Sequence, residues 1–278
     1  ARLTGSVPVI WSVGLDITGK SWVHRHLTPQ LVDSVIVPSE SLKRQIASHG
    51  LLAEEIVRVI PIGIEDTPGA QRSVAAATAL RAELRLPDDA MVAVTVGRFV
   101  QQKGHTTLVE AMPELARRVP KIRFVFLGSG PLAEALGSQA KLCGVSNQLT
   151  FAGMRDNVAP FLAGADIMIH PSIEEPFGIA ILEGMRAGLP IVASNVGGIP
   201  EVVGADTGNR LVEARNPMAL VSAVAEILAT RKLAETTGEA NRQRYERHFK
   251  VDTMIERVEL HFQQVSKTAA QRGRAKVN

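Results

Sequence analysis

Between residues 175 and 183 the chain reads Glu175-Pro-Phe-Gly-Ile-Ala-Ile-Leu-Glu183. Two glutamates stand eight positions apart, and a Pro-Phe-Gly turn separates the first from an apolar run that predicts a buried helix over 177–187. Eight helical residues rise ~12 Å, whereas the two carboxylates of a glycoside hydrolase lie ~5–9.5 Å apart. The spacing therefore predicts that Glu175 and Glu183 bind the two ends of one elongated ligand.

The start of this predicted helix is suited to an anion. Exposed N–H groups and the positive end of the helix dipole lie there, and Gly178 lets a ligand approach the backbone. The arrangement suggests a sugar at Glu175, phosphates over the helix start and a ribose at Glu183. An acidic residue before a helix is also favoured by the dipole alone, but a carboxylate buried at Glu183 would need a partner.

Around this stretch, strand-like apolar runs alternate with helical ones, which predicts an α/β fold with a parallel sheet covered on both faces. The predicted strands are 91–96, 122–127, 149–152, 167–170, 190–193 and 209–212. Helices are predicted from the spacing of Leu108, Met112, Leu115 and Val119, from Asn216-Pro217 to Leu228, and after Asp252 with an apolar stripe of Ile255, Val258, Phe262 and Val265.

The first 66 residues contain three further strand candidates, at 7–13, 34–38 and 56–62, followed by a linker-like segment at 66–78. Three strands are too few for a complete doubly wound half, and the chain begins with Ala1, so we expect the front of this domain to be absent. The expected domains are a partial N-terminal domain (1–66), a ligand-binding domain (67–250) and a helix crossing back to the first domain with a basic tail (251–278).

Composition excludes several classes. The 278 residues are 45% hydrophobic and 21% charged, and no apolar run reaches the ~18 residues of a membrane span. Cys143 is the single cysteine, so the chain has no internal disulfide and no thiolate metal site, which fits the cytoplasm.

The net charge of +3 comes with only 4% aromatic residues, which disfavours a nucleic-acid partner. The cations of the tail predict a solvated segment, with contact to anionic lipid at the inner face of a membrane as the alternative. They are Lys267, Arg272, Arg274 and Lys276.

Two cations follow the predicted strand 91–96, in Gly97-Arg98-Phe-Val-Gln-Gln-Lys103-Gly104. Ligands bind beyond the carboxyl ends of parallel strands, and an Arg fork with a Lys point charge could neutralise a diphosphate without a metal. This matters because the chain has no Asp-x-Asp pair for Mg²⁺. Two basic residues in a loop are also common as plain surface charges.

Three weaker signals also follow strands. The turns at Gly128-Ser-Gly130-Pro131 and Gly197-Gly198 could admit a phosphate or be structural. Backbone groups near Phe151-Ala-Gly153-Met154-Arg155 could face a base. We interpret the lone histidines His105 and His170 as structural or surface residues rather than bases. No Ser/His/Asp or Cys/His set can be assembled.

Taken in order, these motifs resemble those of the retaining, nucleotide-sugar-dependent glycosyltransferases of the two-Rossmann GT-B architecture, often called group 1 or family 4. The resemblance covers residues 33–250, and its specific part is the string 170–203. It implies one complete Rossmann-like domain and one partial one. The matching residues are Gly97-Arg98 with Lys103-Gly104, Gly128-x-Gly130-Pro131, Phe151-x-Gly153, Pro171-Ser172, Glu175-Pro-Phe-Gly178 with Glu183, Gly188-x-Pro190 and Gly197-Gly198-x-Pro200-Glu201.

The resemblance also implies roles. Arg98 and Lys103 would hold the donor diphosphate, Glu175 the hydroxyls of the transferred sugar, and Glu183 the ribose. The remaining donor-binding positions would be Gly97, Gly128, Gly130, Met154 and Arg155 near the base, and the amides of Phe177, Gly178 and Ile179. Arg98, Lys103 and Glu175 would act in catalysis. Retention is expected by front-face attack without an enzyme nucleophile, a metal or a cofactor, with the nucleotide sugar as co-substrate.

Two departures from the family pattern concern the acceptor side. The glycine loop near the family's natural N-terminus is not in this chain, and Gly14 stands where a histidine is frequent. The usual Pro-Asn-Gly reads Pro61-Ile62-Gly63. We expect donor binding but poor turnover by this chain alone, on a cell-envelope glycolipid or polysaccharide acceptor. The alternatives are a non-catalytic nucleotide-sugar-binding protein, an inactive fragment, or, by fold analogy only, an epimerase or phosphorylase.

Overall fold

A computed structural model describes residues 8–14, 31–50 and 52–275 of the chain, with side chains up to residue 271. These residues form two compact units. One is Glu65–His248, and the other joins the described residues before Glu65 to those after His248. None of the helices in the described ranges has the length and apolar character needed to cross a bilayer.

All strand pairs in the described residues are parallel. The strands are β1 (Ile10–Ser12), β2 (Ser34–Val37), β3 (Val57–Val59), β4 (Met91–Val96), β5 (Ile122–Leu127), β6 (Leu149–Gly153), β7 (Ile167–His170), β8 (Ile191–Ser194) and β9 (Arg210–Val212). The helices are α1 (Glu40–Ser48), α2 (Val74–Glu83), α3 (His105–Arg118), α4 (Ala133–Leu142), α5 (Ala159–Gly164), α6 (Ile179–Ala187), α7 (Ile199–Val203), α8 (Pro217–Leu228), α9 (Arg231–His248) and α10 (Val251–Ala275).

The first unit contains a three-stranded sheet of order β1-β2-β3. Each strand is shorter than predicted, and a proline, which has no N–H for the ladder, lies within two residues of one end of each: Pro8, Pro38 and Pro61. Two predicted positions lie outside the described residues, namely Val7 and Lys276, and the side chains of Arg272 and Arg274 are likewise not described.

The last helix, α10, belongs to the first unit. His261 Nε2 lies 2.8 Å from Ser34 Oγ on β2, and the Gly63 N–H donates to Met254 Sδ at 3.2 Å. Half of the predicted apolar stripe is exposed: Val258 and Val265 are partly buried, whereas Ile255 and Phe262 are 44% and 47% exposed. The contacts with β2 and with Gly63 come from positions one residue earlier along the helix.

The second unit is built on a six-stranded sheet of order β6-β5-β4-β7-β8-β9. Its strands β5, β7 and β8 are almost entirely buried, as expected of apolar runs covered on both faces. From β4 the chain proceeds outward to β6 in one direction and, after β7, to β9 in the other. The pair β4 and β7 is therefore the topological switch point of the sheet, where α/β proteins bind ligands.

The helices of the second unit follow the sequence patterns closely, apart from the starts of α2 and α6. In α3, Leu108, Met112 and Leu115 are fully buried, and α8 begins at Pro217 with the Asn216 carboxamide accepting from the Ala219 N–H at 3.0 Å. The predicted linker 66–78 was wrong at its end, because Ser73 caps α2 and the chain is helical from Val74. Alanine favours a helix as readily as a linker once a cap precedes it.

Candidate functional site

The predicted anion-binding loops meet at the carboxyl ends of β4 and β7. The loop after β4 carries Arg98 and Lys103, and the loop after β7 carries Glu175. Two backbone features hold these loops together. The Ile173 N–H donates to Gln102 O at 2.7 Å, and a Cβ at Gly104, whose φ is +65°, would lie 1.9 Å from Pro171 O. Residues 72 positions apart thereby become neighbours.

At the centre of the site is the carboxylate of Glu175, which is only 9% exposed. Its Oε2 accepts three hydrogen bonds, from Lys103 Nζ at 2.6 Å, His170 Nε2 at 2.8 Å and Ser172 Oγ at 3.3 Å. Burial alone would raise the pKa of Glu175, but the hydrogen bonds from His170 and Lys103 and its electrostatic interaction with these two side chains lower it to about 2. Glu175 is therefore ionised at neutral pH.

The main chain of Glu175 packs against, and is hydrogen-bonded to, the loop that follows β8. The Gly198 N–H donates to Glu175 O at 3.0 Å. Gly197 has φ +53°, and a Cβ there would lie 1.9 Å from Glu175 O, while a Cβ at Gly198 would lie 2.4 Å from Pro176 O. These glycines are needed for the close approach of two loops, which is the structural interpretation left open by the sequence.

The helix after Glu175 begins later than predicted. Gly178 has φ +106° and ψ +58°, a left-handed conformation outside the helical region, so α6 starts at Ile179 rather than at residue 177. Glu175 thus lies in a loop, and the ~12 Å helical rise used to exclude an acid–base pair does not apply to it. Among the described residues no side chain caps this helix, Phe177 is buried, and Ile179 is 48% exposed at the open end.

Glu183 lies one turn into α6 and contrasts with Glu175. It is half-buried, and no hydrogen bond or ion pair joins its carboxylate to another described residue. Burial raises the pKa of Glu183, and the charge of Arg186 only partly opposes this. A half-buried carboxylate without a donor is unfavourable for the protein alone, so it has capacity to accept hydrogen bonds from a ligand.

Arg98 is exposed at the mouth of the site. Among the described residues, no side chain makes an ion pair or hydrogen bond with its guanidinium. The glycines around it serve close packing: a Cβ at Gly128 would lie 2.0 Å from Gly97 O, and one at Gly130 would lie 2.6 Å from Phe99 O. The result is an open cation on a backbone that has little room to move.

The residues predicted near a base lie at the end of the neighbouring strand β6. Met154 is 76% exposed. The guanidinium carbon of Arg155 lies 5.0 Å from the ring centre of Phe161, and its Nη2 lies 3.5 Å from Glu83. Arg155 is therefore already engaged by the protein, whereas the exposed Met154 side chain can contact a ligand.

Sequence reasoning assigned no role in the site to His170 or Ser172, both of which contact Glu175. The position of His170 at the end of a strand, five residues before Glu175, was the available signal. His105 was interpreted as structural, and its buried ring agrees with that interpretation. It is buried between Phe99 and Phe126, with ring centres 5.0 and 5.1 Å away. Burial, together with the charges of His170 and Lys103, lowers the pKa of His105 to about 4, so it is neutral at pH 7.

The described residues contain no group of three or more His, Cys, Asp or Glu side chains arranged to hold a metal ion. At the site Lys103 forms an ion pair with Glu175, with Arg98 on the same loop as Lys103 and Glu183 on the helix that follows Glu175. The arrangement can bind a ligand with an anionic middle and hydroxyl-rich ends.

Comparison with known proteins agrees with this chemistry. Residues 77–244 match the family described as "Glycosyl transferases group 1". The chain is 34% identical over 269 residues to the GDP-mannose-dependent alpha-(1-6)-phosphatidylinositol monomannoside mannosyltransferase of Mycobacterium tuberculosis, covering 91% of this chain and 69% of that protein. It is 40% identical over 114 residues to the lipopolysaccharide core biosynthesis glycosyltransferase LpsE of Rhizobium meliloti, covering 41% of this chain and 32% of LpsE.

Among solved structures, Anabaena HepE in complex with UDP and glucose superposes with a TM-score of 0.83. The alignment covers 92% of this chain and 71% of HepE at 20% identity, so it is the fold that is shared. The family match and the identity to the mycobacterial protein go further: the chain belongs to the group 1 glycosyltransferases and has their GT-B type of α/β fold.

Proposed function

We propose that this chain transfers a sugar from a nucleoside-diphosphate sugar to a glycolipid or polysaccharide acceptor of the cell envelope, with retention of configuration. The observation that carries the proposal is the ionised, fixed carboxylate of Glu175 beside Lys103, with Arg98 in the same loop. A carboxylate binds sugar hydroxyls, and a lysine next to it, with an arginine on the same loop, suits the diphosphate to which the sugar is attached.

The middle of the donor would lie over the start of α6. Backbone N–H groups of the Phe177–Ile179 turn and the positive end of the helix attract phosphate oxygens. Arg98 can approach from the open side, since it has no ion pair among the described residues. Negative charge grows on the diphosphate as the sugar leaves, so cations fixed there stabilise the transition state more than the bound donor.

The nucleoside end would be held by Glu183. Its half-buried carboxylate can accept hydrogen bonds from the two ribose hydroxyls, which would remove the cost of leaving it without donors. Met154, exposed at the end of β6, would contact the base. At Gly97, Gly128 and Gly130 the absence of a side chain would let phosphate oxygens come close to the backbone of these packed loops.

The state of the Glu175 carboxylate supports a mechanism that retains configuration without an enzyme nucleophile. The contacts of His170 and Lys103 lower the pKa of the Glu175 carboxyl to about 2, so the carboxylate is weakly basic and a weak nucleophile even at Oε1, which has no partner among the described residues. We therefore propose front-face attack by the acceptor hydroxyl, assisted by the departing diphosphate. Proton NMR of the product formed from an α-configured donor tests this, because a β-linked product would contradict retention.

For the donor, we propose a GDP-sugar, on the strength of 34% identity to a GDP-mannose-dependent enzyme. Thermal melting with GDP-mannose, UDP-glucose and ADP-glucose in parallel tests both the site and the base. A ligand at 100 times its dissociation constant stabilises a protein by ~2.7 kcal/mol, which is easily seen. Failure of every nucleotide sugar to shift the melting temperature would overturn the donor site.

We also propose that transfer needs no metal or cofactor, because Arg98 and Lys103 supply the positive charge that Mg²⁺ supplies elsewhere. The chain would act in the cytoplasm, with peripheral contact to the membrane that holds its acceptor. Turnover measured with and without EDTA should be equal. A loss of activity that added Mg²⁺ restores would contradict this part of the proposal.

A further inference from the structure

We propose that His170 and Ser172 are positioning residues for Glu175. They hold its Oε2 in place, so that Oε1 is presented to the sugar while Lys103 turns towards the diphosphate. This inference rests on the proposed function, and it adds to that function the two residues that set where the sugar-binding oxygen lies. Neither residue needs to touch the donor.

The hydrogen bonds of Glu175 are strongly asymmetric. All three donors converge on Oε2, at 2.6, 2.8 and 3.3 Å, and Oε1 has no partner among the described residues. Ser172 Oγ also lies 3.0 Å from His170 Nε2, so the imidazole, the hydroxyl and the carboxylate form a closed triangle. A carboxylate held through one oxygen offers the other in a defined direction.

Lys103 is less suited than His170 and Ser172 to hold Glu175 in place during the reaction. Its side chain is 24% exposed and has a flexible four-carbon stem, so it can turn towards an incoming diphosphate. The carboxylate would then lose its nearest cation while remaining 9% exposed. His170 and Ser172 are 2% and 0% exposed, and they would keep Oε2 satisfied in that state.

A histidine at position 170 is also energetically unfavourable if its role is only structural. Its Nδ1 is buried and has no hydrogen-bond partner among the described residues, a cost that an apolar side chain at the end of β7 would avoid. The charged or titratable side chains that interact with this cluster are Lys103, Glu175 and the neutral His105. Within the described part of the chain, the imidazole forms hydrogen bonds only with Glu175 and Ser172, which is where we place its function.

Three variants test the inference in the whole chain. His170→Leu removes the donor, His170→Gln returns an amide nitrogen as many bonds from the backbone as Nε2, and Ser172→Ala removes the hydroxyl. Thr207→Val is the matched control, since Thr207 is 4% exposed and its hydroxyl donates to Val203 O away from the loops of the site. Melting temperatures of the unliganded proteins report general damage in each case.

The first measurement needs no ligand. In a carbon-13 NMR titration, the Glu175 carboxyl of the wild type should titrate with a pKa of about 2. The pKa of this carboxyl should rise towards its ordinary value in His170→Leu and return part of the way in His170→Gln. An unchanged Glu175 titration in His170→Leu would overturn the inference, whether or not the protein binds a donor.

The second measurement compares dissociation constants for the nucleoside diphosphate and the nucleotide sugar by calorimetry. His170→Leu should weaken the nucleotide sugar at least ~10-fold and change the nucleoside diphosphate less than ~2-fold, with recovery in His170→Gln. Ser172→Ala should act in the same direction, and it takes the place of His170→Leu if that variant does not fold. Equal losses for both ligands would mean a structural role and contradict the inference.

The two proposals fail in different ways. A wild-type chain that binds no nucleotide sugar contradicts the proposed function, and the Glu175 titration still decides whether His170 fixes the carboxylate. A wild-type chain that binds the donor, with His170→Leu binding it equally well, contradicts only the positioning role.

Discussion

At the scale of single residues, the two glutamates quoted first differ in what surrounds them. Glu175 accepts three hydrogen bonds at one of its oxygens, and its pKa is lowered to about 2. Glu183 is half-buried with no donor among the described residues, and burial raises its pKa. An ionised glutamate thus stabilises the folded protein at position 175 and destabilises it at position 183. The first carboxylate is preorganised by the protein, and the second would gain its hydrogen bonds only from a ligand.

The first prediction concerns Glu183→Gln. The raised pKa means that the ionised carboxylate destabilises the folded protein at neutral pH, so the variant should melt at a higher temperature without ligand. It should bind nucleoside diphosphate and nucleotide sugar alike about 10- to 100-fold more weakly, the effect of losing hydrogen bonds to a charged group. Calorimetry measures both. Glu110→Gln, on the exposed side of α3, is the control and should change neither quantity.

For Glu175→Gln we expect an effect on only one of the two ligands. It should weaken the nucleotide sugar but leave the nucleoside diphosphate nearly unchanged, because only the sugar would reach this carboxylate. Equal losses for both ligands in the variants of both glutamates would contradict the separation of roles between Glu175 and Glu183.

A further prediction concerns two glycines. Gly197→Ala combines a positive φ of +53° with a Cβ 1.9 Å from Glu175 O, so we expect a loss of more than ~2 kcal/mol in unfolding free energy and weak donor binding. Gly137 lies inside α4, and a Cβ there would meet no described atom within 4 Å, so Gly137→Ala should instead stabilise by about 0.5–1 kcal/mol. Urea unfolding of both variants checks the contrast.

At the scale of elements, apolar runs and caps were enough to predict most of the second unit. β4, β5 and β7 occur at the predicted residues, as does α8 after its Asn216-Pro217 signal. The errors lie where glycine or alanine is involved. Alanines after Ser73 formed a helix rather than a linker, and Gly178 adopted a left-handed conformation that delayed the start of α6.

The centre of the site was only partly predictable, for a topological reason. The bond from Lys103 to Glu175 joins residues 72 positions apart, and it exists because β4 and β7 are neighbours in the sheet. Strand order is not encoded in the periodicity of either strand. The roles of His170 and Ser172 could not be predicted for a related reason. Their contacts with Glu175 exist only because the loop after β7 folds back and brings this carboxylate onto them.

The N-terminus of α8 is stabilised by a side-chain cap, which can be removed by a single substitution. Asn216→Ala removes the bond from its carboxamide to the Ala219 N–H, and it should lower the unfolding free energy by about 1 kcal/mol. Donor affinity should not change, because the residues assigned to the site lie on other elements. Asn147→Ala, at an exposed position before β6, is the control, and a loss as large there would rule out capping as the cause.

At the scale of the whole molecule, stability in acid depends on carboxylates that are held ionised in the folded chain. The pKa of Glu175 falls from 4.5 to about 2, and those of Glu114 and Glu226 are also lowered by hydrogen bonds from arginines. A lowered folded-state pKa contributes stability above the unfolded value and loses it as pH falls through the folded value. Glu183 acts with the opposite sign, because its raised pKa relieves a penalty on acidification.

The buried carboxylate should dominate this balance. The shift of Glu175 corresponds to about 3 kcal/mol at neutral pH, whereas Glu114 and Glu226 lie at the surface, where water screens their pairs. Unfolding followed by circular dichroism should therefore show stability falling between pH 4.5 and pH 2. Glu175→Gln should be less stable than the wild type at pH 7 and nearly equal to it at pH 2, with Glu110→Gln parallel to the wild type throughout. A constant difference between wild type and Glu175→Gln at every pH would mean that the variant damages packing rather than removing a charge, and the electrostatic account of the site would then be wrong.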